Sequence, residues 1–375
     1  MPPSITIIGL IHREETRAFG GAPLVMANLA SHFARRGLAV EVLVFTRPGI
    51  REFPFHFDER VRLRLLRAQS RLGLFVQIAR ALLHSRPDAM IAGGTKANLL
   101  AAHATRLPGV TGRLWVMLHH NLSSEMAGWS QRKRARRVRL WRSILPRAAG
   151  LITVSEGVAD DFVAQTGVSR DKVNVIYNPI VDPVFEERMC EPADHPWFRD
   201  AGPPVILGVG RLTAQKDFAT LVAAFALVRQ RRPCRLLIIG EGEEQERLGQ
   251  LAAMLGVGEL VDLAGFKPNP LPYMRAARLL VMSSRWEGFG NVLVEALYCG
   301  TPVVSTDCPH GPREVLADGR YGRLVSVGDP EALAAGIEEA LDEEPDSRRL
   351  RARAEEFSVA SIGDRYLDLL GLPRP

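Results

Sequence analysis

Two acids eight residues apart, Glu287 and Glu295, stand in the stretch WEGFGNVLVEAL. The first falls in a glycine-rich turn after an apolar strand predicted over 279–282. The second lies just over one turn into a helix predicted over 291–299 and stopped by Gly300 and Pro302. Both can face the carboxyl end of that strand. The N–H groups of Gly290, Asn291 and Val292 point to the same place and carry the partial positive charge of a helix N-terminus. Backbone donors for an anion, beside two carboxylates that accept from hydroxyls, suit a sugar nucleotide.

Cationic side chains come from another turn. In GVGRLTAQKDF, Arg211 and Lys216 follow a strand predicted over 205–210 and precede a helix predicted over 217–230, with Asp217 as its cap. A diphosphate needs positive charge to offset its own; Arg offers a fork and Lys a point charge. A solvated loop with ordinary surface basics is the competing reading. The chain has no Asp-x-Asp to hold a divalent cation against a diphosphate, so neither a metal nor another cofactor is expected. Near the N-terminus, Gly20 and Gly21 sit between a first strand and a first helix, where glycines let backbone approach a phosphate. In HHNLSSE, a histidine at the end of the strand predicted over 114–118 could hydrogen-bond a sugar or an acceptor hydroxyl.

These residues resemble the group 1 family of retaining glycosyltransferases. Glu287 and Glu295 match its E-x7-E motif, and the likeness runs through WEGFGNVLVEALYCGTPVVSTDCPHGPREVL. Arg211 and Lys216 match its G-R-L-x-x-x-K element. Gly20-Gly21 looks like its GGAE-type loop, although Pro23 stands where an acid is common. His120-Asn121 resembles its H-N element, which favours His120 over His119. The resemblance implies a fold of two Rossmann-like α/β domains facing across a cleft (GT-B). It implies transfer of a hexose or N-acetylhexosamine from a nucleotide diphosphate sugar, with retained configuration. His120, Glu287, Arg211 and Lys216 would be the catalytic set. Glu287 would hold the donor sugar, Glu295 the ribose, and Arg211 and Lys216 the diphosphate. Gly288, Phe289, Gly290, Asn291 and Val292 would complete the donor site, and the backbone at Gly265-Phe266 would read the base, uridine being the commoner one. No carboxylate is placed as a nucleophile, so front-face attack assisted by the leaving phosphate is expected. Residues 307–314 are similar to members that build polysaccharide repeat units on lipid carriers, which implies a polyprenyl-phosphate-linked acceptor. A soluble acceptor is the alternative.

The elements that must position this chemistry follow from the chain's punctuation. At 375 residues, two domains are expected. Apolar strands alternate with helices over residues 1–180, the signature of a doubly wound parallel sheet. Residues 181–204, rich in Pro and acids and without a period, read as a linker. The alternation restarts over 205–356. A last helix within 357–375 would, by the resemblance, cross back to the first domain.

Composition limits the setting. Hydrophobic content of 46% with 24% charged residues is that of a globular protein, and no apolar run reaches the length of a membrane span. The four scattered cysteines read as reduced, buried thiols in a cytoplasmic protein. The net charge of +6 is unevenly spread: residues 1–150 hold 24 Lys+Arg against 8 Asp+Glu, and residues 151–375 hold 24 against 34. In the basic half, residues 131–145 form a helix with seven Arg/Lys and an apolar stripe of Val138, Trp141, Ile144 and Leu145. The stripe packs on a sheet, or it lies on an anionic membrane with Trp141 at the interface, which would put the protein on the cytoplasmic face of the inner membrane. A non-catalytic nucleic-acid-binding protein is a further alternative. The basic half lacks RNA-type aromatic motifs, so no nucleic acid is expected.

Overall fold

The computed structural model describes residues 2–11, 21–45, 57–68, 70–199 and 202–374. Among these, one α/β unit runs to Pro179 and takes in Val359 onward, and a second spans Ile180–Ser358.

The first unit has seven parallel strands: β1 (Ser4–Ile11), β2 (Ala39–Phe45), β3 (Arg62–Leu66), β4 (Ala89–Gly93), β5 (Arg113–Leu118), β6 (Gly150–Thr153) and β7 (Val173–Val175). Their order is β3-β2-β1-β4-β5-β6-β7, which reverses between β1 and β4, the switch point where doubly wound sheets bind ligands. β4 is buried along its whole length, as a strand covered on both faces must be. The helices are α1 (Gly21–Arg35), α2 (Arg71–Ser85), α3 (Thr95–Ala104), α4 (Leu122–Glu125), α5 (Gln131–Ile144) and α6 (Glu156–Thr166). Ser70, Ser130 and Ser155 cap α2, α5 and α6, each accepting from the N–H three residues on. Each cap contributes about 1 kcal/mol.

The second unit has six parallel strands: β8 (Val205–Val209), β9 (Arg235–Ile239), β10 (Val261–Leu263), β11 (Leu279–Met282), β12 (Val303–Thr306) and β13 (Arg323–Val325), in the order β10-β9-β8-β11-β12-β13. Its helices are α7 (Phe185–Met189), α8 (Phe218–Arg229), α9 (Gln245–Met254), α10 (Leu271–Ala276), α11 (Asn291–Tyr298), α12 (Pro312–Val315), α13 (Pro330–Asp342) and α14 (Ser347–Glu355). Phe218, Leu221 and Phe225 of α8 share its core with Ile206, Leu236 and Leu279. The last helix, α15 (Val359–Leu370), lies in the first unit beside α1. There Asp364 sits 3.1 Å from His32 Nε2 and 2.6 Å from Arg36 Nη2.

Four expectations are corrected. Residues 181–204 are not a free linker: the Phe185 ring meets Tyr298 at 5.0 Å, and His195 Nε2 lies 2.9 Å from Asp262, so the segment folds into the second unit. Strand β3 was not expected, because its arginines break the apolar run. It is the edge strand, and Arg64 reaches Glu41 of β2 at 2.8 Å. Cys190 is exposed; all four thiols are free. Trp141 is wholly buried, edge-on to Phe162 at 5.3 Å, so it is not a membrane-interface residue. Removing a buried Trp costs about 3–5 kcal/mol, whereas a basic residue near an anionic surface gains only ~1 kcal/mol. The core therefore keeps it. Arg132, Lys133, Arg134, Arg136 and Arg139 remain exposed on α5. No helix of the described residues is long and apolar enough to cross a membrane.

Candidate active site

β8 and β11 are hydrogen-bonded parallel neighbours, so the turns leaving their carboxyl ends meet. Residues 210–217 follow β8 and residues 283–290 follow β11. The Arg285 N–H donates to Gln215 O (2.8 Å), the Gln215 amide donates to Trp286 O (2.9 Å), and the Ser283 hydroxyl donates to Lys216 O (2.9 Å). This lacing fixes Lys216 Nζ at 2.5 Å from Glu287 Oε1. The Ser284 hydroxyl donates to the same oxygen at 2.6 Å. Glu287 is buried, and its main chain is tied to the turn after β12: its N–H donates to Pro309 O at 2.8 Å, and its carbonyl accepts from the His310 N–H at 3.0 Å.

Asp217 departs from its expected role as a cap. It precedes α8 in the left-handed conformation (φ 47°), and its side chain accepts no N–H of the helix. Instead its Oδ2 takes the Thr220 hydroxyl at 2.9 Å and pairs with Arg285 Nε at 3.0 Å. That backbone costs roughly 1–2 kcal/mol in a non-glycine residue. It is offset by these bonds, and it sets the direction in which the preceding Lys216 leaves the turn.

Gly290, at φ 92°, precedes α11 and has no side chain to cap it. Glu295 lies on this helix, partly exposed, and burial raises its carboxyl above the ordinary value while Arg188 and Lys216 oppose the shift. Arg211 is exposed in the β8 turn and has no ion pair among the described residues. Gly265 follows β10 at the same end of the sheet; its carbonyl accepts the Gly240 N–H at 2.9 Å, and Phe266 is half-buried beside it. Gly288, Asn291 and Val292 lie in or next to the β11 turn. The Phe289 side chain turns into the core. Its ring is buried edge-on to Phe357 at 5.4 Å, and its backbone lies so close to Gly311 that a Cβ there would fall 2.4 Å from Phe289 O.

In the first unit, a cavity of about 190 Å³ opens at the carboxyl ends of β1, β4 and β5, lined by Gly9, Met26, Gly93, Gly94 and His119 among others. Both ring nitrogens of His119 are buried without a hydrogen-bond partner among the described residues. Burial brings its pKa down to about 4, so the ring is neutral at pH 7. His120 turns its ring to Glu125, 3.2 Å away, with its side chain 47% exposed. His119 and His120 both border this cavity: the His119 ring nitrogens are buried in its wall, and the His120 ring is turned to Glu125. Gly21 is the exposed first residue of α1; Gly20 lies outside the described residues.

Residues 193–357 match the family model of glycosyl transferases group 1, and residues 19–182 match that of glycosyltransferase family 4. Residues 193–357 belong to the group 1 glycosyltransferases. The chain is 39% identical over 176 residues to the lipopolysaccharide core biosynthesis glycosyltransferase LpsE of Rhizobium meliloti (strain 1021), covering 45% of this chain and 50% of that one. It is 32% identical over 234 residues to N-acetylgalactosamine-N,N'-diacetylbacillosaminyl-diphospho-undecaprenol 4-alpha-N-acetylgalactosaminyltransferase of Campylobacter jejuni subsp. jejuni serotype O:2, covering 61% and 62%. The chain therefore spans half to three fifths of the length of these curated relatives. Among solved structures it matches Anabaena Alr3699/HepE in complex with UDP (TM-score 0.78, 23% identity, 98% and 99% covered). It also matches WaaG, a glycosyltransferase involved in lipopolysaccharide biosynthesis (TM-score 0.70, 19% identity, 98% and 99% covered). The two parallel sheets are those of the GT-B fold.

Sequence reasoning missed Ser284 and Arg285, and gave Asp217 only a capping role. A hydroxyl three residues before a motif carboxylate was the available signal for the first. Ser284→Ala removes a hydrogen bond to a charged group, an effect of about 1.5–3 kcal/mol. It is expected to lower kcat/KM for the donor at least tenfold, read by initial-rate kinetics.

Proposed function

We propose that this glycosyltransferase moves a hexose or N-acetylhexosamine from a UDP-linked sugar to a hydroxyl of a lipid-linked saccharide, in lipopolysaccharide or polysaccharide synthesis, with retained configuration. The observation that carries the reading is the cluster of Lys216, Glu287 and Ser284 beside the start of α11. Lys216, Arg211 and the first amides of α11 would stabilise charge on the departing diphosphate, the largest catalytic contribution. Glu287 would orient the donor sugar through its remaining oxygen, and Glu295 would accept from the ribose. The first unit would take the acceptor, with His119 hydrogen-bonding it.

The nucleotide choice is supported by the UDP bound to HepE, and the acceptor class by the diphospho-undecaprenol in the Campylobacter relative's name. The exposed basic face of α5 suits an anionic membrane surface on the cytoplasmic side. Because cationic side chains supply the charge, transfer would need no metal. The test is transfer from UDP-sugars to a diphospho-undecaprenol-linked acceptor, with the product anomer read by NMR. The expected product has the donor's configuration, and excess EDTA leaves the rate within twofold. An inverted product, a glycosyl-enzyme adduct on Glu287, or a rate abolished by EDTA and restored by Mn²⁺ would overturn the corresponding part.

A further inference from the structure

We propose that the start of α3 is a seat for a phosphoryl group of the acceptor, built from the amides of Thr95, Lys96 and Ala97, the Thr95 hydroxyl, the Lys96 ammonium and the His119 ring. The inference rests on the transferase reading above and names what its acceptor carries.

α3 is ten residues long, and Gly94 precedes it at φ 88° with no side-chain cap. The amides of residues 95–97 have no acceptor among the described residues; the first N–H taken up is that of Asn98, by Gly94 O at 2.9 Å. Three convergent N–H groups at a positive helix end form an anion seat when something else marks the place. Here that mark is His119, whose two ring nitrogens are buried, have no partner among the described residues, and belong to the same cavity wall as Gly93, Gly94 and Thr95.

The geometry ties these parts together. The Asn98 amide donates to Met117 O at 2.9 Å, which fixes the first turn of α3 against the strand end carrying His119. A Cβ built on Gly93 would lie 2.7 Å from Met26 Sδ and 3.3 Å from His119 Nε2, so the thioether and the imidazole both sit over the β4–α3 turn, which only glycine allows. Lys96 is exposed, 5.9 Å above the Phe45 ring, with no acid partner among the described residues.

The chemistry selects the ligand. Among the described residues no acid lines the cavity, and the start of α3 offers almost only donors: three amides, a hydroxyl and an ammonium. A sugar ring needs acceptors as well; a phosphoryl group presents several acceptor oxygens and negative charge. The neutral imidazole can donate one further N–H. A lipid diphosphate and a soluble sugar phosphate share this chemistry.

The test uses the full chain with UDP at saturation, so that the cationic turn of the second unit is occupied. Histidine-labelled NMR spectra are followed while geranyl diphosphate, glucose 1-phosphate or geraniol is added. Saturable movement of the His119 resonances with a phosphorylated probe, and none with geraniol, is expected. A tighter response to geranyl diphosphate assigns a lipid carrier; a tighter response to glucose 1-phosphate assigns a soluble sugar phosphate. Thr95→Pro keeps the helix, since proline is accepted at its first position, but removes one amide and the hydroxyl. It and Lys96→Ala are each expected to weaken probe binding about tenfold, with UDP affinity unchanged. UDP binding with no saturable response to either probe, or wild-type probe affinity in both variants, overturns the seat alone. Absence of UDP binding in the wild type overturns the transferase reading, and this assignment with it.

Discussion

Lys216→Ala is expected to slow sugar transfer by about 10²- to 10³-fold at saturating donor, the loss typical of removing one fixed donor from a site where charge develops. The ammonium lies 2.5 Å from the buried Glu287 carboxylate and on the turn that would meet the diphosphate. Truncation therefore removes charge from the leaving group and leaves Glu287 with only the Ser284 hydroxyl as a side-chain donor. Breaking a fully buried pair costs about 3–5 kcal/mol of stability. Lys216 keeps 17% of its side chain exposed, which places the cost at or below the lower end. Single-turnover rates measured well below each variant's melting temperature separate the two effects. Lys216→Arg keeps the charge but replaces a compact point with a planar fork, and should fall between wild type and Ala. A folded Lys216→Ala protein that transfers within threefold of wild type would sink the assignment.

Glu295→Gln should move stability and donor binding in opposite directions. Burial raises this carboxyl above its ordinary value, with Arg188 and Lys216 pulling back. A group whose folded pKa exceeds its unfolded one holds its proton more tightly when folded. Its contribution favours the native state below the unfolded value and is lost as pH rises through the folded one. At neutral pH the ionised side chain is thus a net cost, and the amide removes it. The melting temperature should rise at neutral pH, with the gain shrinking toward acid pH. The same change removes a charged acceptor for the ribose, worth about 1.5–3 kcal/mol, so donor KM should rise about 10- to 100-fold. Calorimetry across pH, beside KM for the donor, tests both signs. A lower melting temperature with unchanged KM would make Glu295 a structural residue only.

The site in the second unit was legible because its motifs sit at strand ends: once β8 and β11 pair in parallel, Lys216 and Glu287 are neighbours although 71 residues separate them. Partners chosen across such distances were not legible. Nothing local in SSRWE says that Ser284 turns toward Glu287 or that Arg285 turns back to Asp217. The different surroundings of His119 and His120 were hidden for another reason. From Leu114 to Leu118 strand β5 is buried throughout, so it lacks the alternation that would have indicated which way the residues after it face. Phe289, flanked by glycines, reads as a ligand contact until Phe357 closes on it. The acids and prolines of 181–204 likewise mask Phe185 and His195, which anchor that segment to its own unit.

The return of α15 to the first sheet has a consequence for biogenesis. A ribosome completes residues 2–179 well before it reaches Asp364, and in that interval His32 and Arg36 lack their counter-ion, while the groove that Ile362, Tyr366 and Leu370 fill stays open to water. The stretch Ile180–Ser358 is continuous and can close as soon as it emerges. Translation thus reverses the usual amino-first sequence: the half made second finishes folding first, and the half made first waits for the tail.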